Sequence, residues 1–128
     1  MKRRIPIAAT RRAKAIAHRL HRWTMLARES GYRAAELARL CRVTVRQLER
    51  IYQKELGCSP QEWLNHQRMV AAQMLLLESR TVKMVALRLG FKQESHFCRE
   101  FKRYHEMTPS EFIDLHRRLN SYQNVAFR

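Results

Sequence analysis

The sequence predicts an all-α protein of about seven helices, two small helical units joined by one long helix. Two observations carry this expectation. The first is an internal repeat: Tyr52-Gln53-Lys54-Glu55-Leu56-Gly57-Cys58-Ser59-Pro60-Gln61-Glu62-Trp63-Leu64 returns at an offset of 49 as Phe101-Lys102-Arg103-Tyr104-His105-Glu106-Met107-Thr108-Pro109-Ser110-Glu111-Phe112-Ile113. Both copies hold an aromatic residue, a Ser/Thr-Pro-x-Glu helix start and an aromatic-aliphatic close, as expected when one structural unit occurs twice. The second is that apolar residues recur at helical spacing along most of the chain, interrupted by capping signals and single glycines.

The elements follow in order. Ile16, Leu20, Trp23 and Ala27 share one helical face while Arg12, Arg19 and Arg22 lie on others, so residues 11–28 read as an amphipathic helix stopped near Gly31. A short helix follows over residues 34–41. Thr44-Val45-Arg46-Gln47 forms a capping box, in which the threonine hydroxyl accepts a backbone N–H and the glutamine reaches back. The helix it opens has Val45, Leu48, Ile51 and Tyr52 as its expected buried stripe, with Gly57 as a stop that tolerates positive φ. Ser59-Pro60-Gln61-Glu62 combines an N-cap, a first-position proline and a capping-box glutamate, opening a helix to about Glu78. Residues 81–89 then form a short helix, Gly90 a turn, and residues 94–104 a helix with Phe97, Phe101 and Tyr104 inward. Thr108-Pro109-Ser110-Glu111 repeats the cap and opens the last helix, while residues 121–128 show no clear periodicity and are expected to fray.

Each half contains a short helix, a tight turn and a second helix, the layout of a helix-turn-helix. Where two helices cross closely only a small side chain fits, and Ala38 and Ala86 stand there. Leu37, Cys41, Val43 and Leu48 in the first copy match Val85, Leu89, Phe91 and Phe97 in the second, with one extra residue after the second turn. The second turn has Gly90, whereas the first has Arg42, which costs about 1 kcal/mol if its φ is positive. The division expected is a basic arm at 1–10, a first helix-turn-helix subdomain at 11–58, a linker helix at 59–79, a second subdomain at 80–117 and a tail at 118–128.

Composition bounds the function. Lys and Arg number 26 against 11 Asp and Glu, a formal charge of +15, which favours a polyanionic partner such as nucleic acid. No apolar run reaches the roughly 18 residues of a membrane span, since Val70 to Leu77 is broken by Gln73. No membrane partner is expected, and the expected location is cytoplasmic, with the nucleoid. Residues 1–28 carry nine Lys or Arg and no acid, a balance shared with mitochondrial transit peptides and weighed against that location. Three widely spaced cysteines, Cys41, Cys58 and Cys98, fit reduced thiols better than a disulfide framework and lack the pairing of a zinc site. His18 and His21 lie one turn apart without an acidic or cysteine partner, and Thr44, Ser59 and Thr108 read as caps rather than nucleophiles. Cys98 reads as a small buried side chain. Neither catalysis nor a cofactor is expected.

Leu37-Ala38, Leu48, Arg50, Tyr52, Gly57, Ser59-Pro60, Arg68, Ala72, Leu75-Leu76, Ala86, Gly90-Phe91, Phe97, Arg99, Phe101-Lys102 and Thr108-Pro109 together resemble the DNA-binding domain of AraC/XylS transcription regulators, over residues 11–117. The resemblance implies a bacterial sequence-specific regulator, usually an activator, whose two helix-turn-helix units are joined by one long helix. Two departures stand out: Glu106 where a glycine commonly precedes the Thr-Pro cap, and Arg42 in the first turn. Regulators of this type often carry a separate sensing or dimerising domain, which the 33 residues before the first short helix do not hold. Control through abundance, or membership of a longer protein, are the two readings.

The outward side of each second helix is the expected DNA face. Arg46, Glu49, Arg50 and Gln53 lie at i, i+3, i+4 and i+7, one polar stripe away from Leu48 and Tyr52. Arginine bonds guanine bidentately, glutamine suits adenine, and glutamate accepts from cytosine N4. The resemblance likewise implies groove contacts at Arg46, Glu49 and Arg50, and it carries contacts onto Glu94, Ser95, His96 and Arg99 of the second helix. Glu49 has a competing reading as a partner for Arg46, and Arg50 and Arg99 as scaffold or phosphate contacts. Lys54, Arg68, Lys92, Lys102 and Arg103 are candidate DNA backbone clamps, and Lys2-Arg3-Arg4 a candidate phosphate or minor-groove arm. A linker helix of 19 residues is about 28 Å long, somewhat short of the roughly 34 Å DNA turn. Two recognition helices in successive major grooves of an asymmetric site, bound by one chain, therefore imply bent DNA or incomplete docking of one unit. RNA polymerase is the further candidate partner. The rival expectation is a nonspecific nucleic-acid-associated or polymerase-recruiting protein that reads no sequence.

Overall fold

The computed structural model describes Arg19, residues 21–78 and residues 80–126, and among these it contains helices and no strands. The helices are α1 (described over 21–29), α2 (Ala34–Leu40), α3 (Val45–Leu56), α4 (Pro60–Leu77), α5 (Val82–Arg88), α6 (Glu94–His105) and α7 (Pro109–Ala126). The arm at 1–10, with Lys2, Arg3 and Arg4, and the expected helix residues before Arg19, with His18, lie outside the described residues.

Capping chemistry sets the starts of α3, α4 and α7, whereas α2 and α6 begin at Arg33 and Gln93 without a side-chain cap. Thr44 Oγ1 accepts from the Gln47 N–H at 3.1 Å while Gln47 Oε1 accepts from the Thr44 N–H at 2.9 Å, the reciprocal box read in the sequence. Ser59 with Glu62 and Thr108 with Glu111 make the same pair of bonds. Three helix ends share another device. After α1, α2 and α5 the chain turns with one N–H bonding the carbonyl three residues back and the next N–H the carbonyl five back, namely Gly31 and Tyr32, Arg42 and Val43, Gly90 and Phe91.

The described residues form two compact units, one ending at Leu64 and the other beginning at Asn65. The boundary falls inside the helix expected as the linker at 59–79, so its first turn lies in one unit and the rest in the other. Trp63 packs edge-on against Tyr52 at 5.6 Å and Trp23 at 6.2 Å, and Trp23 stacks on Tyr52 at 4.6 Å, so α1, α3 and the start of α4 share one aromatic cluster. Further along α4, the Met69 carbonyl accepts from His105 Nε2 at 3.1 Å and Gln73 Nε2 donates to His105 Nδ1 at 3.2 Å, tying α4 to α6. Since a carbonyl only accepts, the proton sits on Nε2. Phe91, Phe97, Phe101 and Phe112 form the continuous aromatic core of the second unit, with centroids 5.4 to 5.8 Å apart.

Three side-chain expectations and one boundary change. Val45, Ile51 and Tyr104 are 40%, 39% and 43% exposed, because the stripes on α3 and α6 are narrower than the periodicity suggests: Leu48 and Tyr52 alone are buried on α3, Phe97 and Phe101 alone on α6. The neighbours of each helix converge on one seam, Leu48 and Tyr52 on α3 and Phe97 and Phe101 on α6, leaving the flanking apolar positions at the rim. The expected tail at 118–128 is helical through Ala126, continuing α7 without a break.

Candidate nucleic-acid interface

In both units the turn between the paired helices is fixed by backbone hydrogen bonds and one close crossing. Ala38 and Ala86, 2% and 1% exposed, sit where the helices approach, and their carbonyls accept from Val43 and Phe91 at 3.0 and 2.9 Å. Leu37 and Val85 on the first helix of each pair, and Leu48 and Phe97 on the second, are buried as well. These equivalent anchors aim equivalent faces outward. Cys41 and Val43 are half-buried where Leu89 and Phe91 are buried, so the first unit packs its turn less fully.

The outward face of α3 has the residues predicted for it. Arg46, Glu49, Arg50 and Gln53 are all exposed, and together with Ser59 they line one shallow recess. Ser59, the N-cap of α4, joins this stripe, and its sequence position gives no sign that α4 begins beside it. Glu49 forms no ion pair with Arg46 among the described residues. On α6, Glu94, Ser95, His96 and Arg99 are exposed, and His96 also rests edge-on against Phe91 at 5.3 Å.

The predicted clamps differ among themselves. Lys54, Lys92 and Lys102 are exposed cations. Arg103 is held by Glu100 at 2.7 Å, an exposed pair. Arg68 is half-buried: its Nε donates to the Leu89 carbonyl at 2.9 Å and its guanidinium lies 3.6 Å over the Phe91 ring. That arginine braces the second turn from α4, a role its position in the sequence gives no means of seeing. Burial pushes the Cys41, Cys58 and Cys98 thiols up from the usual thiol range, and Cys98 is half-buried rather than buried. Among the described residues no group of His, Cys, Asp or Glu is arranged to hold a metal, and no helix is long and apolar enough to cross a membrane.

The model of a helix-turn-helix domain family matches residues 37–114, from the first short helix into α7 and so across both turns. A crystal structure of a transcriptional regulator from Chromobacterium violaceum, described as of AraC-type DNA-binding-domain proteins, is 28% identical with a TM-score of 0.58, covering 64% of this chain and 74% of that one. The chain belongs to the AraC-type helix-turn-helix family. Among sequence relatives, an HTH-type transcriptional regulator of Haemophilus influenzae is 33% identical over 85 residues, 66% of this chain. The lactose operon transcription activator of Staphylococcus xylosus is 31% identical over 78 residues, 60% of this chain. The matched part spans only 28% of the length of each of these two relatives. Both relatives carry the names of transcription regulators.

Proposed function

We propose that this chain binds double-stranded DNA sequence-specifically and regulates transcription, with α3 and α6 entering major grooves of an asymmetric site. The observation that carries this reading is the repetition of one exposed polar face in two units: Arg46, Glu49, Arg50 and Gln53 on α3, and Glu94, Ser95, His96 and Arg99 on α6, each aimed by the same buried anchors. A charge of +15 supplies the sequence-independent attraction to phosphates, to which Lys54, Lys92, Lys102 and Arg103 contribute. Base contacts supply the preference. Activation is the direction favoured, on the name of the staphylococcal relative, with RNA polymerase as the partner recruited and one chain per site.

The decisive experiment is selection from random duplex oligonucleotides, followed by competition of the selected duplex with excess random DNA. A bipartite consensus that random DNA fails to displace supports the reading. Displacement by any sequence alike overturns it in favour of a nonspecific nucleic-acid-associated protein.

A further inference from the structure

We propose that Val45, the first residue of α3, reads a thymine through its 5-methyl group, beside the polar readers Arg46 and Glu49. The inference rests on α3 being a major-groove helix and adds an apolar contact to it. Val45 is 40% exposed, although it shares a helical spacing with Leu48 and Tyr52, which are 4% and 1% exposed. At roughly 100° per residue, Val45 lies about 40° around α3 from Glu49 and about 20° from Tyr52. Its side chain therefore stands on the border between the core seam and the outward face, within the first turn. The first turn is the part of a recognition helix that meets base edges.

Apart from the small C5–H of cytosine, the major-groove edge presents hydrogen-bond donors and acceptors, and the thymine methyl is its one bulky apolar group. A β-branched side chain cannot serve the polar features, yet it fits this methyl and removes it from water. Ile51 provides an internal contrast. It is equally exposed, at 39%, but lies about 150° from the middle of the Arg46, Glu49, Arg50 and Gln53 stripe, on a side that cannot face the same groove floor. The repeat offset of 49 places Glu94 opposite Val45. The first head thus opens with an apolar group suited to thymine, and the second with an acceptor suited to the cytosine amino group.

The test starts from the selected duplex, used only if its binding is weakened by Arg50→Ala, which establishes that α3 reads bases. Each thymine of the half bound by α3 is then replaced by deoxyuridine, which lacks the methyl, and Kd is measured by fluorescence anisotropy for the parent protein, Val45→Ala and Ile51→Ala. One deoxyuridine should weaken the parent and Ile51→Ala about fourfold, the worth of one buried methyl. Val45→Ala should bind the thymine duplex more weakly and respond to that replacement by less than twofold. No sensitive thymine in that half, or equal sensitivity in Val45→Ala and the parent, overturns the assignment while leaving the polar readers standing. Absence of any Arg50-dependent duplex overturns both. Thermal unfolding of each variant checks that an exposed substitution leaves the fold intact.

Discussion

In the first unit the inter-helix turn passes through Arg42 at φ 57° and α3 ends at Gly57 at φ 70°; in the second the turn passes through Gly90 at φ 85° and α6 ends at Glu106 at φ 63°. The two pairs are equivalent positions of one repeat, and each unit has glycine at only one of them. Backbone geometry is thus fixed by the packing of the helices, while residue type at a left-handed position is negotiable at about 1 kcal/mol each. The same comparison extends to the cores. Tyr52 and Phe101 are repeat equivalents, both buried, but the Tyr52 hydroxyl has no hydrogen-bond partner among the described residues and burial pushes its ionisation well above the usual tyrosine range.

The largest effect separates the units outright. Phe97→Ala should cost about 3–5 kcal/mol and Leu48→Ala about 2–5 kcal/mol, each mainly in its own unit. Hydrogen exchange read residue by residue checks this; equal loss of protection in both units after either change would show a single cooperative body instead.

Next come the readers. Arg50→Ala and Arg99→Ala should each lose about 1–3 kcal/mol of discrimination at one base pair, in different halves of the site. Repeating the duplex selection with each variant reveals which half relaxes. Lys102→Ala should weaken every sequence alike and lower the slope of affinity against salt.

Exchanging the glycine pattern sharpens the comparison at about 1 kcal/mol. Arg42→Gly and Glu106→Gly should stabilise by up to about 1 kcal/mol, since each relieves a positive φ, whereas Gly57→Ala should destabilise by about as much although open space surrounds it. Chemical denaturation measures both signs. A stabilising Gly57→Ala would contradict the strain argument. The smallest change is Tyr52→Phe, which makes the first core resemble the second; removing an unpaired buried hydroxyl should leave stability unchanged or raise it by under about 1 kcal/mol in thermal melts.

Much of this was legible beforehand because it depends on neighbours in sequence. The capping boxes at Thr44, Ser59 and Thr108, the alanines at the crossings and the repeat itself are local patterns with local causes, and each stands where it was read. The stripe Arg46, Glu49, Arg50 and Gln53 followed from helical spacing alone. The width of each buried face is not a local property. Val45, Ile51 and Tyr104 have the right residue types and spacing for a core, yet each stays about two-fifths exposed, Tyr104 even with the His66 ring of α4 against it at 5.5 Å.

The sequence by itself determined that the chain is helical, where most helices begin, and that one unit occurs twice, since capping, periodicity and glycine placement act over a few residues. Only the tertiary structure decided that α4 divides between two cores, that Arg68 braces the second turn over Phe91, and that Arg42 and Glu106 accept positive φ. Those outcomes turn on which distant surfaces meet, and burial of a ring cluster or of a helix crossing outweighs the roughly 1 kcal/mol preference of a single backbone position.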